Sequence, residues 1–415
     1  MKFPESELSR RKFLGAASGL VAAGLTAMPA ANLLAQTENK DSSKASASTE
    51  LKPVIYRTLG RTGIKMPVIG MGVMNADVPE VLAASYEEGV RFFDTAALYQ
   101  YGRNEQMVGN VIKKLGVRDK VTIATKVYGQ RKKGDIPASE TKAAIIKEAE
   151  ESLKRLQMDY VDILYIHSVS DPAEMQNPAI AEAMNQLKEQ KKIGFAGVTC
   201  HSGMTAVLNQ AAKGGFCDVV LAVINFALSP ETRLFDAIKN AASAGVGVIA
   251  MKTFYGSPES LSVDNAEWLK NYSGATIAAA SLKWVLKNEN ITAAIPGYTN
   301  FEHMKQDFAV ARNLEFTLEE AKFLDERGLK LGFDFCRQCR SCLAACPRDV
   351  DIPALMRTHM YAMQYRNPVH AKITFDGIPE NRSLKNCRSC DSCSVQCAHD
   401  VNIERRIEDL KLIYA

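Results

Sequence analysis

Cysteine and tryptophan are scarce through most of this chain: two tryptophans occur in 415 residues, and only Cys200 and Cys217 precede position 336. With no cysteine before Cys200, lipid attachment near the leading segment is not expected. Cys200, His201 and Cys217 stand alone and read as packing or loop residues. Neither charge dominates: the net charge is +4, which argues against a nucleic-acid surface as an organising feature. No G-x-G-x-x-G follows the first expected strand, where only Gly70-Met71-Gly72 occurs, so an open doubly wound sheet is disfavoured. What is present is 47% hydrophobic and 24% charged residues, in a chain long enough for one large barrel plus a small module.

Ser9-Arg10-Arg11-Lys12-Phe13-Leu14 precedes a small-residue apolar run from Gly15 to about Ala35. A charged stretch followed by a weakly hydrophobic one has the form of an export signal, and the paired arginines resemble the twin-arginine type. That route carries proteins already folded and loaded with cofactor. The expectation is a signal over residues 1–35 and a polar, flexible tether over 36–52. The twin-arginine export machinery would deliver the protein to the periplasm, or leave it membrane-tethered where the signal stays uncleaved.

From residue 53 the chain alternates between two periods. After a hairpin near Tyr56–Met66, short β-branched or aromatic runs start near Val68, Arg91, Val121, Val161, Gly194, Val219, Gly245 and Thr292. Helical patterns lie between them, for example at Glu80–Glu88, Thr141–Leu156, Ala179–Gln190 and Glu231–Ala244. Eight strands each followed by a helix predict a (β/α)8 TIM barrel over residues 53–330. Three successive strands end in ionisable groups: Phe92-Phe93-Asp94 in a carboxylate, Val121–Lys126 in an amine and Tyr160–His167 in an imidazole. Tyr99 follows Asp94 by five residues. Each alone reads as a cap, a solvated side chain or a satisfied core histidine. Together they form the ring of functional groups that a parallel barrel gathers at its C-terminal mouth.

Phe93-Asp94-Thr95-Ala96 with Tyr99, Ala124-Thr125-Lys126, Asp159-Tyr160-Val161-Asp162 with Tyr165 and His167, and Ile295-Pro296-Gly297 resemble the aldo-keto reductases over about residues 53–328. The resemblance implies NAD or NADP across the barrel mouth and a catalytic tetrad of Asp94, Tyr99, Lys126 and His167. Tyr101 also precedes a glycine, but the spacing from Asp94 selects Tyr99. The chemistry needs these types. Hydride attack turns a carbonyl oxygen into an alkoxide, and a phenol must protonate it. A neighbouring ammonium, Lys126, is expected to lower the phenol pKa, Asp94 to hold that ammonium, and His167 to orient the carbonyl. The positions implied for the cofactor are Thr199, Asn225, Lys252 and Gly297. Thr199-Cys200 replaces the family's usual Ser-Asn, and Leu221 replaces a glutamine. Gly297 and His303 stand where cations often meet a 2′-phosphate, which leaves the choice between NAD and NADP open.

The remaining eight cysteines fall in two runs: Cys336, Cys339, Cys342, Cys346, then Cys387, Cys390, Cys393, Cys397. Both follow C-x2-C-x2-C-x3-C, the bacterial ferredoxin pattern for [4Fe-4S] clusters. Structural zinc prefers paired knuckles, and disulfides are avoided when clusters are loaded before export. Three thiolates of one run reach one cube while the fourth sits too far round. Cross-ligation is therefore expected: Cys336, Cys339, Cys342 and Cys397 to one cluster, and Cys387, Cys390, Cys393 and Cys346 to the other. Helical sequence between the runs, including Ile352–Tyr365, predicts a small, mainly α-helical ferredoxin-like iron–sulfur domain over residues 331–415.

The function expected is an NAD(P)H-dependent oxidoreductase interconverting a small aldehyde or ketone and its alcohol. The two clusters are either structural or pass electrons to a partner protein. Nicotinamides move electrons in pairs and clusters singly, and no flavin fingerprint bridges the two modes. The alternative is an exported iron–sulfur electron-transfer protein with a catalytically silent barrel. The loops carry no charge pattern that names a substrate.

Overall fold

The computed structural model describes residues 52–129, 138–228, 232–254, 271–330, 336–390, 392–399 and 401–414. The expected signal and nearly all of the tether lie outside them. A two-stranded antiparallel hairpin, β1 (Tyr56–Thr58) and β2 (Lys65–Pro67), comes first. The eight barrel strands are β3 (Met71–Gly72), β4 (Phe92–Asp94), β5 (Thr122–Val127), β6 (Val161–Ile166), β7 (Ile193–Cys200), β8 (Val219–Val223), β9 (Gly247–Met251) and β10 (Ala293–Ala294). All neighbours pair in parallel and in sequence order. A parallel bridge from Ile69 to Ala294 joins the ends, reinforced by Gly70 N donating to Ala294 O at 2.9 Å. The sheet thus curls back on itself as a TIM barrel.

The central strands are buried along both faces, as in Val219–Val223 and Gly247–Met251. That is why they read as continuous apolar runs rather than alternating ones. Helices α1 (Pro79–Glu88), α2 (Arg103–Leu115), α3 (Ala138–Leu156), α4 (Pro178–Glu189), α5 (Met204–Ala212), α6 (Thr232–Ser243), α7 (Gly274–Leu286), α8 (Phe301–Ala309) and α9 (Leu318–Lys330) follow the pattern of the sequence. Close approach of α2 to the end of α3 requires glycine at 109, where a Cβ would stand 2.2 Å from Leu156 O.

The cysteine-rich region contributes α10 (Ile352–His359), which runs into a π-helical turn at Met360–Gln364, then α11 (Pro368–Asp376) and α12 (Ile403–Tyr414). Its own small core gathers Val350, Leu355, Val401, Ile407 and Leu410 against the cysteines. It forms one compact unit with the barrel. Asn367 shows how sequence fixes that docking: its carbonyl caps α11 by accepting from His370 N at 2.9 Å, while its amide donates to Asn75 Oδ1 at 2.7 Å. Arg340 adds a second tie, donating to Ser170 O at 2.8 Å. No helix among the described residues is long and apolar enough to cross a membrane.

Candidate active site

Asp94 ends β4 and Lys126 lies one residue before the end of β5, so their side chains meet at the barrel mouth. Lys126 Nζ donates to Asp94 Oδ1 in a buried ion pair, and to Thr95 O at 2.6 Å. Burial pushes the Asp94 carboxyl up and the Lys126 ammonium down, and each shift is opposed by the partner's charge. A second buried layer fixes these strands. Thr125 donates to Glu105, which accepts from Arg155 Nε at 2.6 Å, and Asn104 ties the Val73 and Ala76 carbonyls.

Tyr99 opens a tight turn in which Gln100, Tyr101 and Gly102 all have positive φ (51°, 56° and 85°). That backbone turns Tyr99 inward, 8% exposed, and Tyr101 outward, 67% exposed, so the fold makes the same choice as the spacing. Lys126 Nζ lies 4.8 Å from the Tyr99 ring centroid. The expected lowering of the phenol pKa is not what the structure gives. Burial first, then the Asp94 carboxylate and the phenols of Tyr361 and Tyr128, push Tyr99 well above its ordinary value. Desolvation of the phenolate is the largest cause, and the Asp94 carboxylate acts in the same direction.

His167 follows β6 directly, its backbone N–H donating to Val127 O at 2.9 Å. Its ring centroid is 6.2 Å from that of Tyr99 and 4.7 Å from that of Tyr128. His201, expected only to pack, is buried 6.1 Å from His167 and shares a 3.3 Å hydrogen bond with Ser168 Oγ. The cysteine-rich region supplies the roof. His370 meets Tyr99 edge-on at 5.6 Å and Tyr361 at 4.3 Å, and Lys252 Nζ lies 4.5 Å over the Tyr361 ring. His370 and Tyr361 were missed in the sequence because no local pattern links them to the barrel.

A cavity of about 1240 Å³ opens beside these groups, lined by Asp94, Tyr99, Lys252, Thr253 and Gly297 on the barrel and Tyr365 on the roof. It is large enough for a dinucleotide and a small substrate. Thr253 Oγ1 is buried there without a hydrogen-bond partner among the described residues. A Cβ at Gly297 would reach within 3.4 Å of Gly72 O, narrowing the cradle between the two glycines. Of the four residues expected to touch a cofactor, Lys252 and Gly297 line this cavity, and Thr199 and Asn225 do not. Thr199 Oγ1 accepts from Ser168 N at 2.9 Å. Asn225 accepts from Ala227 N at 3.1 Å and donates to Lys252 O at 3.2 Å, fixing the left-handed turn (φ 53°) at that lysine.

The eight cysteines divide as the cross-ligation pattern requires. Cys336, Cys339, Cys342 and Cys397 line one cavity, and Cys346, Cys387, Cys390 and Cys393 line another. Among the described residues no three His, Cys, Asp or Glu converge on a point as one metal ion would need. Four separated thiols around a cavity suit a cubane instead. Burial, then the neighbouring sulfurs Cys397 and Cys339, hold the Cys336 thiol up at about 11 even though Gln338 N opposes the shift. Such thiols ionise when iron supplies the countercharge.

Fold and site together define an oxidoreductase barrel with a cysteine-rich iron–sulfur appendage. The model of the aldo/keto reductase family matches residues 69–327, and that of a 4Fe-4S dicluster domain matches residues 335–402. The chain belongs to the aldo/keto reductase family and carries a C-terminal 4Fe-4S dicluster domain, and it acts on carbonyl and alcohol groups. It is similar to L-galactose dehydrogenase of Arabidopsis thaliana, 30% identical over 294 residues, covering 62% of this chain and 88% of that protein. It is also similar to the uncharacterized oxidoreductase YrpG of Bacillus subtilis, 26% identical over 291 residues, covering 60% of this chain and 89% of that protein. A solved aldo-keto reductase from Bacillus halodurans, in its holo form, shares the fold with a TM-score of 0.55 at 21% identity, over 66% of this chain and 96% of that one.

Proposed function

We propose that this protein interconverts a small aldehyde or ketone and its alcohol at the roofed barrel mouth, with Asp94, Tyr99, Lys126 and His167 as the catalytic residues. NAD or NADP, when bound in the 1240 Å³ cavity, supplies or accepts the hydride. Lys252, Thr253 and Gly297 are the residues that would hold it. Tyr99, kept protonated by burial, donates its phenolic proton to the carbonyl oxygen as negative charge develops there. An alkoxide is far more basic than even a raised phenol, so the transfer runs downhill. Lys126 stabilises the phenolate left behind, Asp94 holds Lys126, and His167 orients the carbonyl. The observation that carries this reading is the burial of Asp94, Tyr99 and Lys126 together beside one large cavity.

Each set of four cysteines would hold one [4Fe-4S] cluster. A second reading, in which the clusters exchange electrons with a partner protein, is favoured by one contact. Cys336, which would bind the first cluster, shares a small cavity with His201 and Lys252 of the barrel, and His201 in turn lies 6.1 Å from His167. Two clusters taking one electron each would match the two electrons of one hydride, its proton being released to solvent. Export by the twin-arginine route, with clusters loaded beforehand, is the proposed path to the periplasm. Anaerobic purification with an iron count, a visible spectrum and extraction of retained nicotinamide tests the cofactor content. About eight iron atoms per chain with nicotinamide-dependent turnover supports the reading, and zinc or no metal would remove its iron–sulfur half.

A further inference from the structure

Gln338 lies between Cys336 and Cys339, and its backbone holds the left-handed conformation (φ 56°) that glycine usually supplies. It is 7% exposed. Its amide nitrogen Nε2 donates to Cys336 Sγ at 3.2 Å and to Pro353 O at 3.0 Å. A backbone carbonyl can only accept, so Pro353 fixes which end of the amide faces the sulfur. Ser341 Oγ lies 3.3 Å from Cys339 Sγ, and His399 N donates to Cys397 Sγ at 3.4 Å. Charge acts in the same sense. Arg337 and Arg340 line the cavity of this cysteine set, with no aspartate or glutamate among the described residues. The Arg406 guanidinium favours negative charge on Cys336. In the cavity of the second set, Glu404 and Glu408 offset Arg348 and Lys411. Exposure does not reverse the contrast, since Cys339 of the first set is exposed and Cys387 of the second is buried.

We infer that Gln338, with the basic groups around Cys336, sets the reduction potential of the first cluster above that of the second. A [4Fe-4S] cluster that accepts one electron gains one unit of negative charge, while no bond is broken and no proton moves. Donors aimed at its sulfurs, nearby cations and access to solvent each favour that more negative state. The cations and the exposure are greater at the first set, and Gln338 adds a donor already oriented before the electron arrives. Ile352 lines the cavities of both sets, so one side chain reaches from one to the other. An electron from a one-electron donor therefore settles on whichever cluster holds it better. The singly reduced chain keeps it at Cys336, which shares a cavity with His201 and Lys252 of the barrel. This deepens the electron-exchange reading and rests on the assignment of two [4Fe-4S] clusters. Gln338 is a positioning residue, since it touches a cluster ligand and not the substrate.

The test is potentiometry of the full chain with its clusters, reduced stepwise by dithionite without oxygen and read by electron paramagnetic resonance. The wild type should show two separate midpoints. Gln338→Met keeps the length of the side chain and removes its N–H groups. In that variant the higher midpoint should fall by about 59 mV, a tenfold drop in the one-electron reduction equilibrium. The lower midpoint and the iron content should stay as they are. A role in packing alone would leave both midpoints in place. Coincident midpoints in the wild type, no shift in Gln338→Met, or a shift of the lower midpoint overturns the inference, while two cubane signals leave the two-cluster reading standing. Where Gln338→Met loses iron, Arg406→Gln carries the comparison, with the same fall of the higher midpoint expected and the same failures decisive. An iron count near zero in the wild type would instead remove the two-cluster reading, and the inference with it.

Discussion

The His370 imidazole, from the cysteine-rich region, meets the Tyr99 ring edge-on with centroids 5.6 Å apart. A residue of the iron–sulfur domain therefore packs against the phenol assigned the proton transfer, and Tyr361 holds that imidazole from the far side at 4.3 Å. Replacing His370 with alanine empties this contact and frees the phenol to shift. Misplacement of a reacting group by a fraction of an ångström is expensive, so kcat should fall about ten- to a hundredfold. His370→Phe, which keeps a ring edge, should recover most of it. Steady-state kinetics on both variants decide the matter, and equal losses would mean that packing is not the role.

The Asp94–Lys126 pair is 2% and 1% exposed. Asp94→Asn leaves a buried ammonium without its countercharge, a loss of about 3–5 kcal/mol. Asp94→Asn combined with Lys126→Met should be less destabilised than the sum of the two single variants. Urea unfolding of the four proteins gives the coupling, and strict additivity would contradict a mutual pair.

Asp307 on α8 is 3% exposed, and burial pushes its carboxyl up to about 8. The folded state thus keeps this proton to a higher pH than the unfolded chain, where an aspartate titrates near ~4. Its effect on stability is most favourable below that unfolded value and is lost as pH rises to about 8, at about 1.4 kcal/mol per pH unit. The melting temperature of Asp307→Asn should fall less than that of wild type between about pH 5 and pH 8. Parallel melting curves would show that the carboxyl has a counter-ion in solution.

Cross-ligation has a direct consequence for iron content. Cys336→Ala and Cys397→Ala lie in different sequence runs but line one cavity, so the double variant should lose no more iron than either single one, about four atoms. Cys397→Ala with Cys387→Ala strikes both cavities and should lose nearly all of it. Iron analysis and electron paramagnetic resonance of the reduced proteins distinguish the two pairings.

Much of this was legible in the sequence because the signals were local. Short β-branched or aromatic runs placed the eight strands, and strand ends placed Asp94 and Lys126, since a parallel barrel brings every C-terminal end to one mouth. The two cysteine runs named their own partition for a reason of reach. What stayed hidden depends on long-range docking. Nothing near His370 or Tyr361 marks them as roof residues, and His201 looked isolated until the fold set it beside His167. The direction of the Tyr99 shift was hidden for a different reason. Spacing places a cation near the phenol, but it does not reveal that the same pocket excludes water and adds a carboxylate. Thr199 and Asn225 fell at the expected strand ends, yet their side chains are engaged by Ser168, Ala227 and Lys252.

Nicotinamide-dependent carbonyl reduction by Tyr99→Phe, measured against wild type with both clusters intact, is the most direct test. The phenol is the proton donor, so kcat should fall by at least a hundredfold while fold and iron content stay unchanged. Reduction within a few-fold of wild type would contradict the catalytic assignment outright.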